Sequence, residues 1–234
     1  ILNSSIFIPA FVTLSQTAYH NFGADSSFAG QKTAQGNGGD GEDFYYTPPT
    51  GYKALNTSNL PDPAIALPTA YFNTVLYTGD ASNPKTVSGV GFSADMVWLK
   101  SRGISQRHNI YDTVRGIPKS GSTDVPRISP DDATAESDTT DELRTVTSDG
   151  FTVDTSRNGS GNTYAAWNWK AGGTAVSNGN GSITSSVSAN TTAGFSIVSY
   201  TGTGSTATVG HGLSVAPEFL IVKNRTTGST AWQC

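Results

Sequence analysis

Apolar residues in this 234-residue chain come in short runs separated by turn-forming stretches. Phe72 to Tyr77 is β-branched and aromatic, Asp95 to Lys100 (DMVWLK) and Glu218 to Lys223 (EFLIVK) are brief apolar runs, and Gly150 to Val153 (GFTV) follows a Ser-Asp-Gly turn. Each has the length and residue types of a strand bounded by turns. In Tyr164 to Lys170 (YAAWNWK), Trp167 and Trp169 stand two apart and so share one face of a strand. The neighbouring Ala165 and Ala166 favour a packed strand, with the tryptophans in a core rather than on an open sugar platform. Asn-Gly pairs at Asn158, Asn178 and Asn180 supply hairpin-type turn chemistry. The pattern predicts an all-β chain of antiparallel β-sandwich or jelly-roll units with very little helix.

The chain also repeats itself. Residues 71–102 (YFNTVLYTGDASNPKTVSGVGFSADMVWLKSR) align with residues 194–225 (GFSIVSYTGTGSTATVGHGLSVAPEFLIVKNR). Phe72, Val75, Tyr77, Thr78 and Gly79 match Phe195, Val198, Tyr200, Thr201 and Gly202, and after a small gap Gly91 meets Gly212 and WLKSR meets IVKNR. The offset is far longer than a solenoid unit, so each copy is domain-sized. The expected organisation is a first segment over 1–60, a Pro-rich linker over 61–68, a first β-sandwich repeat over 69–190, and the start of a second, truncated repeat over 191–234. The stretch from Ile104 to Glu142 departs from the strand pattern. It carries seven acidic residues and one Arg between Asp124 and Glu142, and it reads as a surface excursion, with an interaction loop as the alternative.

Composition sharpens this by exclusion. Gly, Ser, Thr and Asn account for 100 of the 234 residues, and charged residues for 14%, which suits turns and surface strands. The net charge of −4 offers no basic footprint for nucleic acid. One cysteine, Cys234, excludes an internal disulfide framework or a Cys-based zinc site. No window reaches the roughly 18 apolar residues of a membrane span, and ILNSSIFIPAFV lacks the charged start of a secretory signal. No membrane partner is expected.

Few residues suggest chemistry. Gly36, Gly38 and Gly41 satisfy GxGxxG, but the β-type run DFYYTPP follows where a dinucleotide site needs a helix. No cofactor is expected. Asp40, Glu42 and Asp43 in GNGGDGED are weak calcium candidates, because hard cations take several oxygen ligands from flexible loops; a solvated turn is the other reading. Neither GxSxG nor HExxH occurs, and His20, His108 and His211 stand in unrelated surroundings. The acidic run from Asp131 to Glu142 reads as mobile rather than as a preorganised pair of glycosidase carboxylates. Tyr45 and Tyr46, adjacent and so directed to opposite faces, are the weak ligand-binding candidates.

Certain strings resemble known proteins. NFGADSSFAG (Asn21 to Gly30) and DFYYTPPTGYKAL (Asp43 to Leu55) resemble the closing strands of a SPRY-type, concanavalin-like sandwich found in bacteriophage structural proteins. The repeat, with FNTVLYTG, GVGFSADMVWLKSR, IYDTVRG, SDGFTV and NTYAAWNWKAGGTAVSN, is similar to multi-copy tail or tail-fibre proteins of marine phages. The resemblance implies a non-enzymatic virion component in the extracellular particle, contacting other virion proteins, self-associating as a homo-oligomer (a trimer by analogy with fibres) and attaching to a host surface glycan. It transfers no catalytic or binding residue. Two alternatives stand beside it: a carbohydrate-binding module of a secreted bacterial adhesin or enzyme, and a tail-borne polysaccharide depolymerase.

Overall fold

A computed structural model describes residues 20–39, 42–55, 59, 63, 65–117 and 124–234. The chain divides into two compact units, Ile1–Pro63 and Ala64–Cys234, with the boundary inside the Pro-rich stretch.

Among the described residues of the first unit, one bridge, Asn37 to Phe44, is the only strand-like pairing. Side chains hold it together instead. Asn21 Oδ1 accepts from the backbone of Gly23, 2.7 Å away, and the Asp43 carboxylate accepts from Ser26 N at 2.9 Å.

The second unit is all-β. Its strands are β1 (Phe72–Thr78), β2 (Lys85–Ser88), β3 (Met96–Ser101), β4 (Asn109–Asp112), β5 (Val125–Arg127), β6 (Ser137–Thr139), β7 (Leu143–Thr147), β8 (Gly150–Val153), β9 (Thr163–Trp169), β10 (Val176–Asn178), β11 (Ser185–Asn190) and β12 (Phe195–Tyr200). Among the described residues of this unit, two 3₁₀ turns, Pro68–Ala70 and Thr155–Arg157, are the helical segments. Every ladder is antiparallel. The sheets run β1-β9-β3-β4, β2-β8-β7 and β10-β11-β12, with β5-β6 as a separate pair.

The first two sheets share one core. Val97 and Leu99 of β3, Ala166 of β9 and Tyr111 of β4 are buried with Val87, Phe151, Val153, Leu143 and Val146 of the other sheet. Alternation along each strand produces this, because residues two apart face the same way. Close approach of the backbones shapes β8: a Cβ on Gly150 would lie 1.9 Å from the Val87 carbonyl oxygen. Only glycine starts β8 without displacing β2.

Three expectations are corrected here. The stretch 104–142 is no mere excursion: it holds β4, buried along its whole length, and β5 with β6. Its carboxylates are held in place, since Glu142 is buried between Arg127 (2.7 Å) and Arg157 (3.0 Å), and Glu136 lies between Arg115 (3.1 Å) and Arg225 (2.5 Å). Charge neutralisation by Arg115 and Arg127 within the stretch, and by Arg157 and Arg225 from outside it, orders what local composition reads as mobile. Asn158-Gly159 makes no hairpin. Asn158 follows a 3₁₀ turn, fully buried, and its amide donates to Asp80 Oδ1 (2.9 Å) and Ser82 O (2.6 Å). Finally, Glu218 to Lys223 forms no strand beyond a single antiparallel bridge, Val222 to Gln233. Phe219, Leu220 and Ile221 are exposed, and a strand needs a ladder partner to persist.

Candidate binding surfaces

The four-stranded sheet has a second face, opposite the core, and it is aromatic. Register sets Thr74, Trp167, Trp98 and Ile110 side by side in one row across β1, β9, β3 and β4. The next row is Phe72, Trp169, Met96 and Asp112. Trp167 and Trp169 do share one face, as their spacing requires, but it is this outer one, where both are half-buried. Tyr164, Ala166 and Asn168 take the core side. The small Ala166 is what lets the two sheets approach at that point, while Ala165 lies on the outer face beside Trp167, so Ala166 marks the core face and not the environment of the tryptophans.

The rings support one another. Trp98 meets Trp167 edge-on at 6.0 Å between centroids and His108 at 5.8 Å, while Trp169 lies 4.9 Å from Phe72 and 6.1 Å from Phe195. Trp98 Nε1 donates to His108 Nδ1 at 3.0 Å, so that nitrogen is an acceptor and the ring is neutral there. Burial lowers the His108 pKa, in keeping with that state. Lys100 Nζ donates to the carbonyl of Gln106 at 2.5 Å beside the same rings. With Leu76 and Phe72 exposed on the edge strand, the face offers apolar ring surfaces with hydroxyl and amide groups at its margin. Such a surface suits a pyranose ring, whose C–H face stacks on indole while its hydroxyls find polar partners.

The residues singled out in the first unit are arranged differently. Tyr45 packs on Phe28 at 5.7 Å and edge-on to Tyr46 at 4.9 Å. Tyr46 is 78% exposed and Tyr45 half-buried. Asp40 lies outside the described residues. Glu42 accepts from Gly39 N, Ala54 N and Asn59 Nδ2, all at 3.1 Å, and the two backbone N–H groups are what chiefly hold its pKa below the ordinary value. Asp43 is lowered in the same way by Ser26. Both carboxylates brace their own loop, and among the described residues no group of three metal-binding side chains converges.

The acidic centre nearest to an enzyme-like arrangement is Glu142. One carboxylate oxygen accepts from Tyr111 Oη (2.5 Å) and Asn109 Nδ2 (2.7 Å), the other from Arg127 and Arg157. Burial, reinforced by the Glu142 charge, raises the Tyr111 pKa well above normal, keeping its proton on the phenol. Every acceptor site of Glu142 is engaged inside the fold, which suits a structural knot. His211 Nδ1 accepts from Leu213 N at 3.1 Å within its turn. Two open surface grooves of about 380 and 480 Å³ flank β11, lined by small and polar residues such as Gly172, Ala189 and Asn178 and by no aromatic ring.

The aromatic face was only half legible beforehand. The Trp167/Trp169 spacing marks it, but Trp98, His108 and Phe72 join it through pairings between distant segments. No curated protein and no solved structure matches the chain. Residues 67–234 match the family model described as a domain of unknown function, DUF7483, which spans the whole β-sheet assembly. The chain belongs to the DUF7483 family.

Proposed function

We propose that the chain is a non-enzymatic structural protein of a phage particle, a tail or tail-fibre component that contributes to attachment at the host surface. The observation that carries the reading is the domain-sized duplication, in strings similar to those of multi-copy tail proteins. The sandwich supports it: interior charges such as Glu142 are bound up by arginines, tyrosine and asparagine within the fold, an arrangement suited to rigidity. Self-association would cover its exposed strand edges. Negative-stain images of the purified protein should show elongated or regular assemblies. A monodisperse globular monomer at all concentrations would count against the reading.

A carbohydrate-binding module is the second reading, favoured by the Trp98–Trp167 face. Titration of a glycan panel, followed by Trp fluorescence, should give saturable binding that Trp98→Ala and Trp167→Ala each weaken by about tenfold or more, a typical cost for losing an aromatic contact. Binding unaffected by both substitutions would remove the face from consideration.

A further inference from the structure

Four strands form the edges of the two sheets that share the core, and three of them are guarded. β2 is only four residues long and opens on Lys85, which is paired with Asp80 at 2.6 Å. β7 is broken by a register shift between Leu143 and Thr145, where Arg144 reaches Asp154 at 3.0 Å. β4 is covered, since Ile110 and Ile128 exchange backbone hydrogen bonds of 2.8 and 3.2 Å. Short length, charge, bulges and cover are the devices that stop an edge from pairing with another chain. β1 has none of them. It runs for seven residues, FNTVLYT, with no charge, no proline and no break in its register with β9.

The ladder shows which groups the edge presents. Gly79 N donates to Asn162 O and Lys170 N to Tyr71 O, so odd-numbered residues of this run turn their backbone groups to β9 and even-numbered ones turn theirs away. Phe72, Thr74, Leu76 and Thr78 therefore line the edge with N–H and C=O groups. One of these is engaged within the chain, Thr74 N with Asn73 Oδ1 at 2.9 Å. The same four residues have exposed side chains, Leu76 at 60% and Phe72 at 41%. The chain just before β1 brings no strand to the edge: β12, the counterpart of β1, pairs with β11, but the residues in the place of β11, 62–67, include Pro63 and lead into the Pro68–Ala70 turn.

We propose that β1 is a homodimer contact, at which two copies of the chain join their four-stranded sheets edge to edge into one sheet of eight strands. The proposal rests on the reading of the chain as a self-associating structural protein and names the place where copies meet. The backbone fixes the register. Even-numbered residues exchange hydrogen bonds with even-numbered ones, so a two-fold antiparallel pairing that uses the whole strand sets Phe72 against Thr78 of the second copy, Thr74 against Leu76, and Val75 against itself on the axis. Thr74 N then exchanges Asn73 Oδ1 for the Leu76 carbonyl of the second copy. Alternation keeps the faces in step: the two Leu76 side chains lie diagonally on the aromatic side, and the two Val75 side chains adjoin on the core side. Neither strand carries a charge to repel the other. Such a contact is self-complementary and closes at two copies, so it makes a dimer rather than the trimer that the analogy with fibres implies.

Val75→Cys with Cys234→Ser, which removes the one native thiol, tests the axis, because a non-hydrogen-bonded pair sets its Cα atoms about 4.5 Å apart, within disulfide range. Under mild oxidation it should form a covalent dimer at least about tenfold faster than Thr78→Cys in the same background, whose two copies stand roughly 20 Å apart in this register. Sedimentation velocity of the 234-residue chain should show a reversible monomer–dimer equilibrium. Leu76→Lys should raise its dissociation constant at least about tenfold by setting like charges on the diagonal, with an unchanged circular dichroism spectrum. Dimers indifferent to Leu76→Lys, or equal crosslinking at positions 75 and 78, would overturn this contact and leave self-association to another surface, with the structural reading intact. A monomer at every concentration would overturn both.

Discussion

Single side chains decide much of this fold because the chain carries few charges and places several of them inside. Glu142 neutralises Arg127 and Arg157, so removing it leaves a buried guanidinium without a counter-charge. Glu142→Ala should lower the unfolding free energy by about 3–5 kcal/mol, read from denaturant midpoints; a loss under about 1 kcal/mol would mean the arginines find water instead. Glu136 adds a pH dependence. Burial works to raise its pKa, but Arg225 and Arg115 prevail and hold it below the ordinary value of 4.5. A carboxylate with a depressed folded pKa contributes stability above its unfolded pKa and loses it as pH falls through the folded one. Glu136→Gln should therefore destabilise the protein at pH 7 and do so by a smaller amount near pH 3, below the ordinary value. Melts at the two pH values test this, and an equal deficit at both would contradict it.

At the level of elements, close backbone contact is the limiting factor. Gly150→Ala pushes a methyl group against the Val87 carbonyl and should cost about 1–3 kcal/mol through β2–β8 separation, visible as faster hydrogen exchange in Lys85 to Ser88. Unchanged exchange there would show that β2 yields freely. Strands β1, β3, β8 and β9 are legible in the sequence because each is a short apolar run whose partners lie within the same unit. The role of 104–142 is not, because two of the arginines that order it, Arg157 and Arg225, are remote in sequence. Trp167 and Trp169 illustrate the same limit: a spacing of two fixes that they share a face, while only the packing of Tyr164 and Ala166 against the other sheet decides which face it is.

For the whole molecule, the division at Pro63 and Ala64 predicts independence. Residues 64–234 expressed alone should give the same β-type circular dichroism and a single cooperative unfolding transition, since the shared core of two sheets lies wholly within them. A broad, non-cooperative melt would mean that the first unit is needed for folding. Within the second unit Arg225 of the later repeat grips Glu136 of the earlier one, and Lys223 Nζ donates to the carbonyl of Ala133 at 3.0 Å, so the two repeats should unfold together.

The central place of β9 also sets a timetable. β1 and β3 are complete at Thr78 and Ser101, yet the strand that joins them starts at Thr163. At roughly 5–20 residues per second of synthesis, β1 waits on the order of 5–20 s on the ribosome before it can pair. During that interval two apolar edges stand open to the wrong neighbour, including the same edges on nascent chains of the same polysome. A sequence with few charges has little repulsion to keep them apart, so expression yield should respond more to translation rate and chaperone supply than to the stability of the finished sandwich.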